Sequence, residues 1–389
     1  MAMTAPGQTT GVSVFVDPMI DELGVSRTQI STSYLIGTLL GAGAMPFVGK
    51  AIDRYGPRTV IAAVGAVFGA VLIGLSYVTG IVGLTAGFVG IRMAGQGALS
   101  LVATTAVAYW FDRRRGLALG ITSAVGTAGI SLAPMLVERL VAGIGWRQAW
   151  AIEGVAVWLI VVPLALFGIR NRPADVGQHV DGEAPADAGA APAELTGLPL
   201  RHALRTGVFW AVASCLAASS MLTTGLNFHQ IALLGERGLT PVQAAANFLP
   251  QTAAALLATL AAGALLDRAS PKVVLVGAMA ILACAVLGAR LVEPGWTAVA
   301  YGLLLGSSNG LLRAVESAAF PYYFGTAHLG AIRGCAHTIT IAASAFGPLA
   351  IALGHEVTGR YGAALLALAV LPAAAALTVI VAREPVAAD

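Results

Sequence analysis

The sequence predicts an all-α membrane protein of twelve transmembrane helices in two pseudo-repeated six-helix bundles, with the first helix truncated. Three observations predict this class. Of 389 residues, 57% are hydrophobic and only 11% charged, where a soluble domain carries about 25% charged; the mean hydropathy is +0.82. Apolar stretches long enough to cross a bilayer recur along the whole chain. Landmarks of the first half return in the second at nearly one offset. This composition excludes a nucleic-acid binder, a secreted disulfide scaffold and a disordered chain, and a net charge of +3 is too small to imply a polyanionic partner. Cys215, Cys284 and Cys335 sit in apolar stretches without metal-ligand spacing and read as small packing residues. No metal or cofactor is implied.

A membrane helix needs roughly 20 mostly apolar residues. Such stretches lie at 29–49, 59–80, 82–110, 117–138, 148–168, 207–233, 242–265, 273–290, 296–322, 334–354 and 362–382. A further candidate, Met1 to Val16, reaches only roughly 24 Å as a helix and is interrupted by Pro6-Gly7. It lacks the basic flank and long apolar region of a signal peptide. A closed β-barrel is excluded because the segments lack two-residue alternation and are twice too long.

Charge placement orients the spans. If the loops after the second, fourth, sixth, eighth and tenth spans and the tail face the cytoplasm, that side holds fourteen of the 22 Lys and Arg residues. The opposite side holds Arg27, Arg139, Arg147, Arg237, Arg290 and Arg360, while Arg92 and Arg313 fall inside spans. The positive-inside rule then puts both termini in the cytoplasm, which requires an even number of spans and makes the short first segment a helix. The expected location is the cytoplasmic (inner) membrane, multi-pass.

Residues 171–205 are polar, rich in Ala, Pro, Gly and Asp, and carry no apolar period. They read as a flexible linker, giving an N-terminal bundle at 1–168, a cytoplasmic linker at 169–205 and a C-terminal bundle at 206–389. The repeat supports the division. Gly49-Lys-Ala-Ile-Asp53-Arg54 follows the second span and Gly263-Ala-Leu-Leu-Asp267-Arg268 the eighth, 214 residues later. Tyr109-Trp-Phe111 ends the fourth span and Tyr322-Tyr-Phe324 the tenth, 213 residues later. Duplicated halves around a midplane site are a transporter architecture.

Gly49-Lys-Ala-Ile-Asp53-Arg54-Tyr-Gly56-Pro-Arg58 resembles the G-x-x-x-D-R-x-G-x-R loop motif of the major facilitator superfamily, complete at every fixed position. Gly263 to Arg268 resembles its degenerate copy, and Arg92-Met-Ala-Gly95-Gln-Gly97 is similar to the superfamily's Arg-and-glycine motif in the fourth span. The resemblance covers essentially the whole chain. It implies a gating role for Gly49, Asp53, Arg54, Gly56, Arg58, Asp267 and Arg268, with charge contacts to a neighbouring helix end holding the inner gate shut. Within the superfamily, Gly7-Gln-Thr, Val14-Phe-Val-Asp17-Pro18, Trp110 to Gly120, Gly145-Trp-Arg147 and Tyr323-Phe-Gly325 with His328 to Gly334 resemble the bacterial monocarboxylate and oxalate/formate-type carriers. That branch starts its first helix earlier, so Met1 is expected not to be the true start. The branch's anion-binding charges do not carry over: the eighth span, Pro241 to Leu266, has no charged residue, and the eleventh has His337 and no Lys.

A charge at bilayer depth costs roughly 2.5–3.5 kcal/mol on insertion scales, so it should face a cavity or a partner. Arg313 lies past the middle of the tenth span, with Glu316 one turn on along the same face. One reading makes Arg313 the anchor of a substrate carboxylate, its planar fork suiting bidentate pairing, and Glu316 the proton-responsive partner. The other makes them a fixed ion pair. Arg92 could couple protons or pack against the neighbouring helix, and Glu153 near the start of the sixth span is a weaker candidate. Gln8 beside the loosened Pro6-Gly7 backbone, Asn227 and Gln251 are candidate substrate contacts, and His229 could sense or pass protons. Polar stripes such as Ser31–Tyr34–Thr38 and Asn247–Gln251 fit helix–helix contacts in membranes.

The function expected is secondary active transport of a small organic anion, a monocarboxylate by the branch resemblance, coupled to a proton and driven by alternating access. Alternatives are anion exchange, efflux of a metabolite or drug, and a non-transporting membrane sensor. The partners are the anionic small molecule, the proton and membrane lipid, with no nucleic acid. An enzyme is not expected, since H-E-x-x-H does not occur and Gly306-Ser307-Ser308 has no obvious base partner in the sequence.

Overall fold

The structure is a computed structural model that describes residues 1–111, 115–178, 180, 197–266, 268–325 and 328–382. The chain forms two compact units, Met1–Ala191 and Pro192–Asp389.

The first unit opens with a 3₁₀ turn, Ala2–Gly7, followed by α1 (Thr9–Ser13) and α2 (Val16–Leu23). The first span is therefore longer than the apolar stretch to Val16 suggests, and it is broken where Gln8 is extended (φ −83°, ψ 155°). α3 (Arg27–Leu75) is two spans joined with a single break at Gly56. α4 (Ile81–Ile91), a π-helical stretch Arg92–Leu99 and α5 (Ser100–Trp110) make one continuous span. α6 (Arg115–Ile144) and α7 (Trp146–Pro163), extended by a π turn Leu164–Gly168, complete the unit.

Between the bundles, Pro173–Val176 forms a 3₁₀ turn with Pro173 at its first position, where its missing N–H costs nothing. Gly197 pairs with Gly325, and Leu198 N–H donates to Phe324 O at 2.9 Å. The described ends of the expected linker are thus ordered, and its far end is tied to the second unit.

The second unit comprises α8 (Leu200–Ala203), α9 (Gly207–Phe228), α10 (Gln230–Gly235), α11 (Pro241–Ala246) and α12 (Phe248–Leu266). It continues with α13 (Pro271–Gly288), α14 (Trp296–Phe324), α15 (Leu329–Thr358), α16 (Tyr361–Leu368) and α17 (Val370–Val381). Among the described residues nine helices are long and apolar enough to cross a membrane. Separating the two arms of α3 and adding α14 and the broken first segment gives twelve spans. α14 has the length, 29 residues, but is more polar, since it carries Ser307, Ser308, Asn309, Arg313 and Glu316.

Small residues set the helix contacts. A side chain at Gly37 would put its Cβ 2.8 Å from Phe88 O, and one at Gly154 2.7 Å from Gly69 O. In the second unit a Cβ at Gly306 would run into Gln251 O and one at Gly347 into Met221 O. Lipid tails are as apolar as leucine, so association rests on such close packing and on buried polar contacts rather than on a hydrophobic drive. Large buried rings fill the remaining space, with Phe15 stacked on Trp150 at 3.8 Å between centroids.

Candidate functional site

The first unit holds a charge inside the bundle. Arg92 is 2% exposed at the start of the π-helical stretch, which carries two glycines, Gly95 and Gly97. Its Nε donates to Thr38 Oγ1 at 3.0 Å, its Nη1 donates to Gly7 O at 3.1 Å, and its guanidinium lies 4.4 Å from the centroid of the Tyr34 ring. The Tyr34 hydroxyl is hydrogen-bonded to Thr9 Oγ1 at 2.6 Å. Dipoles and a π face therefore surround this cation in place of a carboxylate, a contact worth about 2 kcal/mol or more when desolvated. The backbone break at Gln8 exposes the Gly7 carbonyl that Arg92 uses. Gln8 itself donates to Thr4 Oγ1 at 3.2 Å. Arg92 thus clusters with Gly7, Tyr34 and Thr38, and through Tyr34 with Thr9, while the Gln8 side chain, one residue on from Gly7, bonds Thr4.

The loop motif ties helix ends together. Gly56 breaks α3 at φ 79°, a left-handed conformation that side chains disfavour, and a Cβ there would meet Asn171 at 2.5 Å. Asn171 Oδ1 accepts the Arg58 backbone N–H at 2.9 Å, and Arg58 Nη2 donates to Leu166 O at 2.6 Å. Asp53 accepts from Tyr109 Oη in a long contact of 3.4 Å, and Arg54 stands 5.3 Å from the Tyr55 ring centroid. The expected charge–charge contacts are absent among the described residues: Asp53 faces a hydroxyl, and Arg58 faces a carbonyl in the last turn of a helix, where the macrodipole is negative. Gly49 is half-buried and Arg268 exposed. Asp267 lies outside the described residues.

The second unit holds a neutral network. Gln251, on α12, donates through Nε2 to Gln230 Oε1 at 2.7 Å and Asn247 Oδ1 at 3.2 Å. Gln230 Nε2 donates to Ala244 O at 2.8 Å and Asn247 Nδ2 to Ala298 O at 2.6 Å. The amide donors are used within the unit. Gln230 stands beside Asn227 and His229 in sequence, but its partners lie 14 and 21 residues away. Asn247 also borders a cleft of about 220 Å³ shared with Gln243, Pro250 and Pro294, below the roughly 300–1,000 Å³ of usual organic-ligand pockets.

Asn227 and His229 do not join that network. Asn227 Oδ1 is buried with no hydrogen-bond partner among the described residues. His229 is 1% exposed, donates through Nε2 to Pro348 O at 2.9 Å, and lies 5.7 Å from the Tyr361 ring. Glu153 is half-buried and its Oε2 is shut from solvent with no hydrogen-bond partner among the described residues, although its position near the span's start suggests solvation.

Arg313 is exposed on α14 and Glu316 is half-buried. No hydrogen bond or ion pair joins them, which corrects the fixed-pair reading: spacing of three residues brings two side chains to one face without fixing their rotamers. Arg313 stands one turn beyond Gly310, whose carbonyl accepts from Thr259 Oγ1 at 3.1 Å.

Comparison with known proteins gives the family. Residues 1–288 match the family model described as Major Facilitator Superfamily. The chain is 28% identical over 162 residues to the oxalate:formate antiporter of Oxalobacter formigenes, covering 41% of this chain and 37% of that protein. It is 28% identical over 172 residues to the probable sulfoacetate transporter SauU of Cupriavidus necator, covering 42% and 37%. The matched stretch thus spans little more than a third of either relative. In fold, it is similar to a bacterial homolog of the human lysosomal transporter Spinster, inward-facing and occupied, with a TM-score of 0.74, 16% identity, and coverage of 97% of this chain and 94% of that one. The chain belongs to the major facilitator superfamily and is a multi-pass membrane protein.

Proposed function

We propose that the protein moves a small organic anion, a monocarboxylate, across the cytoplasmic membrane together with a proton, by alternating access, with both termini cytoplasmic. Arg313 carries this reading: a guanidinium past the middle of a membrane helix, exposed and without an acidic partner among the described residues. A cation at that depth is costly unless something solvates it, and a carboxylate offers the bidentate match. The matched relatives support the class, since oxalate, formate and sulfoacetate are all small anions. Glu316, Arg92 and His229 are the proposed proton-responsive groups, and Gln8, Asn227 and Gln251 the proposed neutral contacts. The loop residues from Gly49 to Arg58, with Asp267 and Arg268, are the proposed gate. Because one relative is an antiporter, exchange of two anions is the second reading.

Uptake of labelled monocarboxylates into proteoliposomes tests both. Proton symport predicts uptake that collapses with an uncoupler and falls ten- to hundred-fold in Arg313→Ala, the loss of about 1.5–3 kcal/mol for hydrogen bonds to a charged group. Flux that ignores the proton gradient but needs an internal anion would select exchange. Full uptake in Arg313→Ala would remove the anchor.

A further inference from the structure

Arg237 and Arg290 converge on one point at the end of the second unit. A Cβ at Gly362 would lie 3.3 Å from Arg237 Nη2 and 3.5 Å from Arg290 Nε, so both guanidinium groups pack against this glycine. Like charges repel, yet among the described residues no carboxylate pairs with either arginine. The acid beside Arg237 in sequence, Glu236, is engaged by His355 at 3.2 Å. Arg290 Nε is buried with no hydrogen-bond acceptor. Gly362 is also the second residue of α16, whose first-turn N–H groups have no partners within the helix, and the residue preceding the helix, Arg360, supplies no side-chain acceptor. Donors of three kinds therefore meet at one point, with no carboxylate partner among the described residues. Two arginines of the first unit are treated differently: Arg27 is paired with Asp17 and Arg147 with Glu22.

We propose that Arg237, Arg290 and the first turn of α16 around Gly362 form a binding site for a phosphate-type oxoanion. Arg290 supplies the buried Nε donor, Arg237 the second cation, and the α16 backbone the remaining N–H groups. The phosphate can come from a lipid headgroup, since the site lies at the ends of spans, or from a free oxoanion.

The test is a thermal-shift titration of the purified full chain in detergent with two probes, inorganic phosphate and phosphatidylglycerol, with diacylglycerol as the phosphate-free control. The wild type should be stabilised by at least one phosphate-bearing probe and not by diacylglycerol. Arg237→Gln, Arg290→Gln and Gly362→Ala should each raise that probe's apparent Kd at least ten-fold, while Arg147→Gln leaves it unchanged. Arg290→Lys, which keeps the charge but lacks the Nε donor, should weaken binding several-fold and serves if Arg290→Gln fails to fold. Stabilisation by phosphate itself would identify a free-anion site; stabilisation by phosphatidylglycerol alone would identify a headgroup site. No stabilisation by either probe, or equal Kd values in wild type and folded variants, would overturn the proposal.

Discussion

The two units bury polarity in opposite ways. In the first, a permanent cation, Arg92, sits in the bundle and is balanced by a threonine hydroxyl, a backbone carbonyl freed by the break at Gln8, and the face of Tyr34. In the second, Gln230, Asn247 and Gln251 form an uncharged network that donates only to amide and backbone oxygens. A charge cannot be discharged by a rotamer change, so each of its few partners matters. A neutral amide network spreads the same task over several weaker bonds, which in membrane bundles average about 0.6 kcal/mol and reach about 1.7.

The comparison makes a quantitative claim that mutations can break. The largest effect is expected for Thr38→Val, which preserves shape but removes the oxygen that accepts from Arg92 Nε. It should destabilise the purified protein by about 1.5–3 kcal/mol, the range for a hydrogen bond to a charged group, measured as the loss of apparent melting temperature against wild type. Gln251→Leu should cost less, about 0.6–1.7 kcal/mol, by the same measurement, although it strands two acceptors, Gln230 Oε1 and Asn247 Oδ1. If Gln251→Leu proves the more damaging, the distinction between charged and neutral burial fails.

The smallest effect is expected at the surface, where Glu22 accepts from Arg147 Nε at 2.7 Å and from Trp146 Nε1. The hydrogen bond from Arg147 holds the Glu22 carboxyl below its ordinary value of 4.5. A depressed carboxyl contributes stability above its unfolded pKa and loses it as pH falls through the folded one. Glu22→Gln should therefore be slightly less stable than wild type at neutral pH, with the gap closing below about pH 4.5. A gap that persists unchanged at low pH would mean that shape, not charge, links Glu22 to Trp146 and Arg147.

The spans and their number were legible because bilayer length and apolarity act on every residue of a stretch at once. The loop motif was legible for a local reason, since Gly56 is needed both for a positive φ and for the approach of Asn171. Pairings were less legible. Asn247 and Gln251 share a helical face by spacing, but Gln230 reaches them only through the chain reversal around α10 and α11, which periodicity does not encode. The π-helical stretch at Arg92 left only a weak trace, the glycines Gly95 and Gly97 among otherwise strong helix formers. Arg313 and Glu316 show the converse failure: spacing suggested a bond that the side chains do not make.

The proposed anchor is tested most directly by binding. Purified protein should be titrated with small carboxylates while unfolding is followed, in wild type and in Arg313→Ala. Stabilisation approaching about 2.7 kcal/mol at one hundred times the dissociation constant, lost in the variant and absent for neutral isosteres, is the predicted result. Equal stabilisation of folded wild type and Arg313→Ala by the same carboxylate would contradict it.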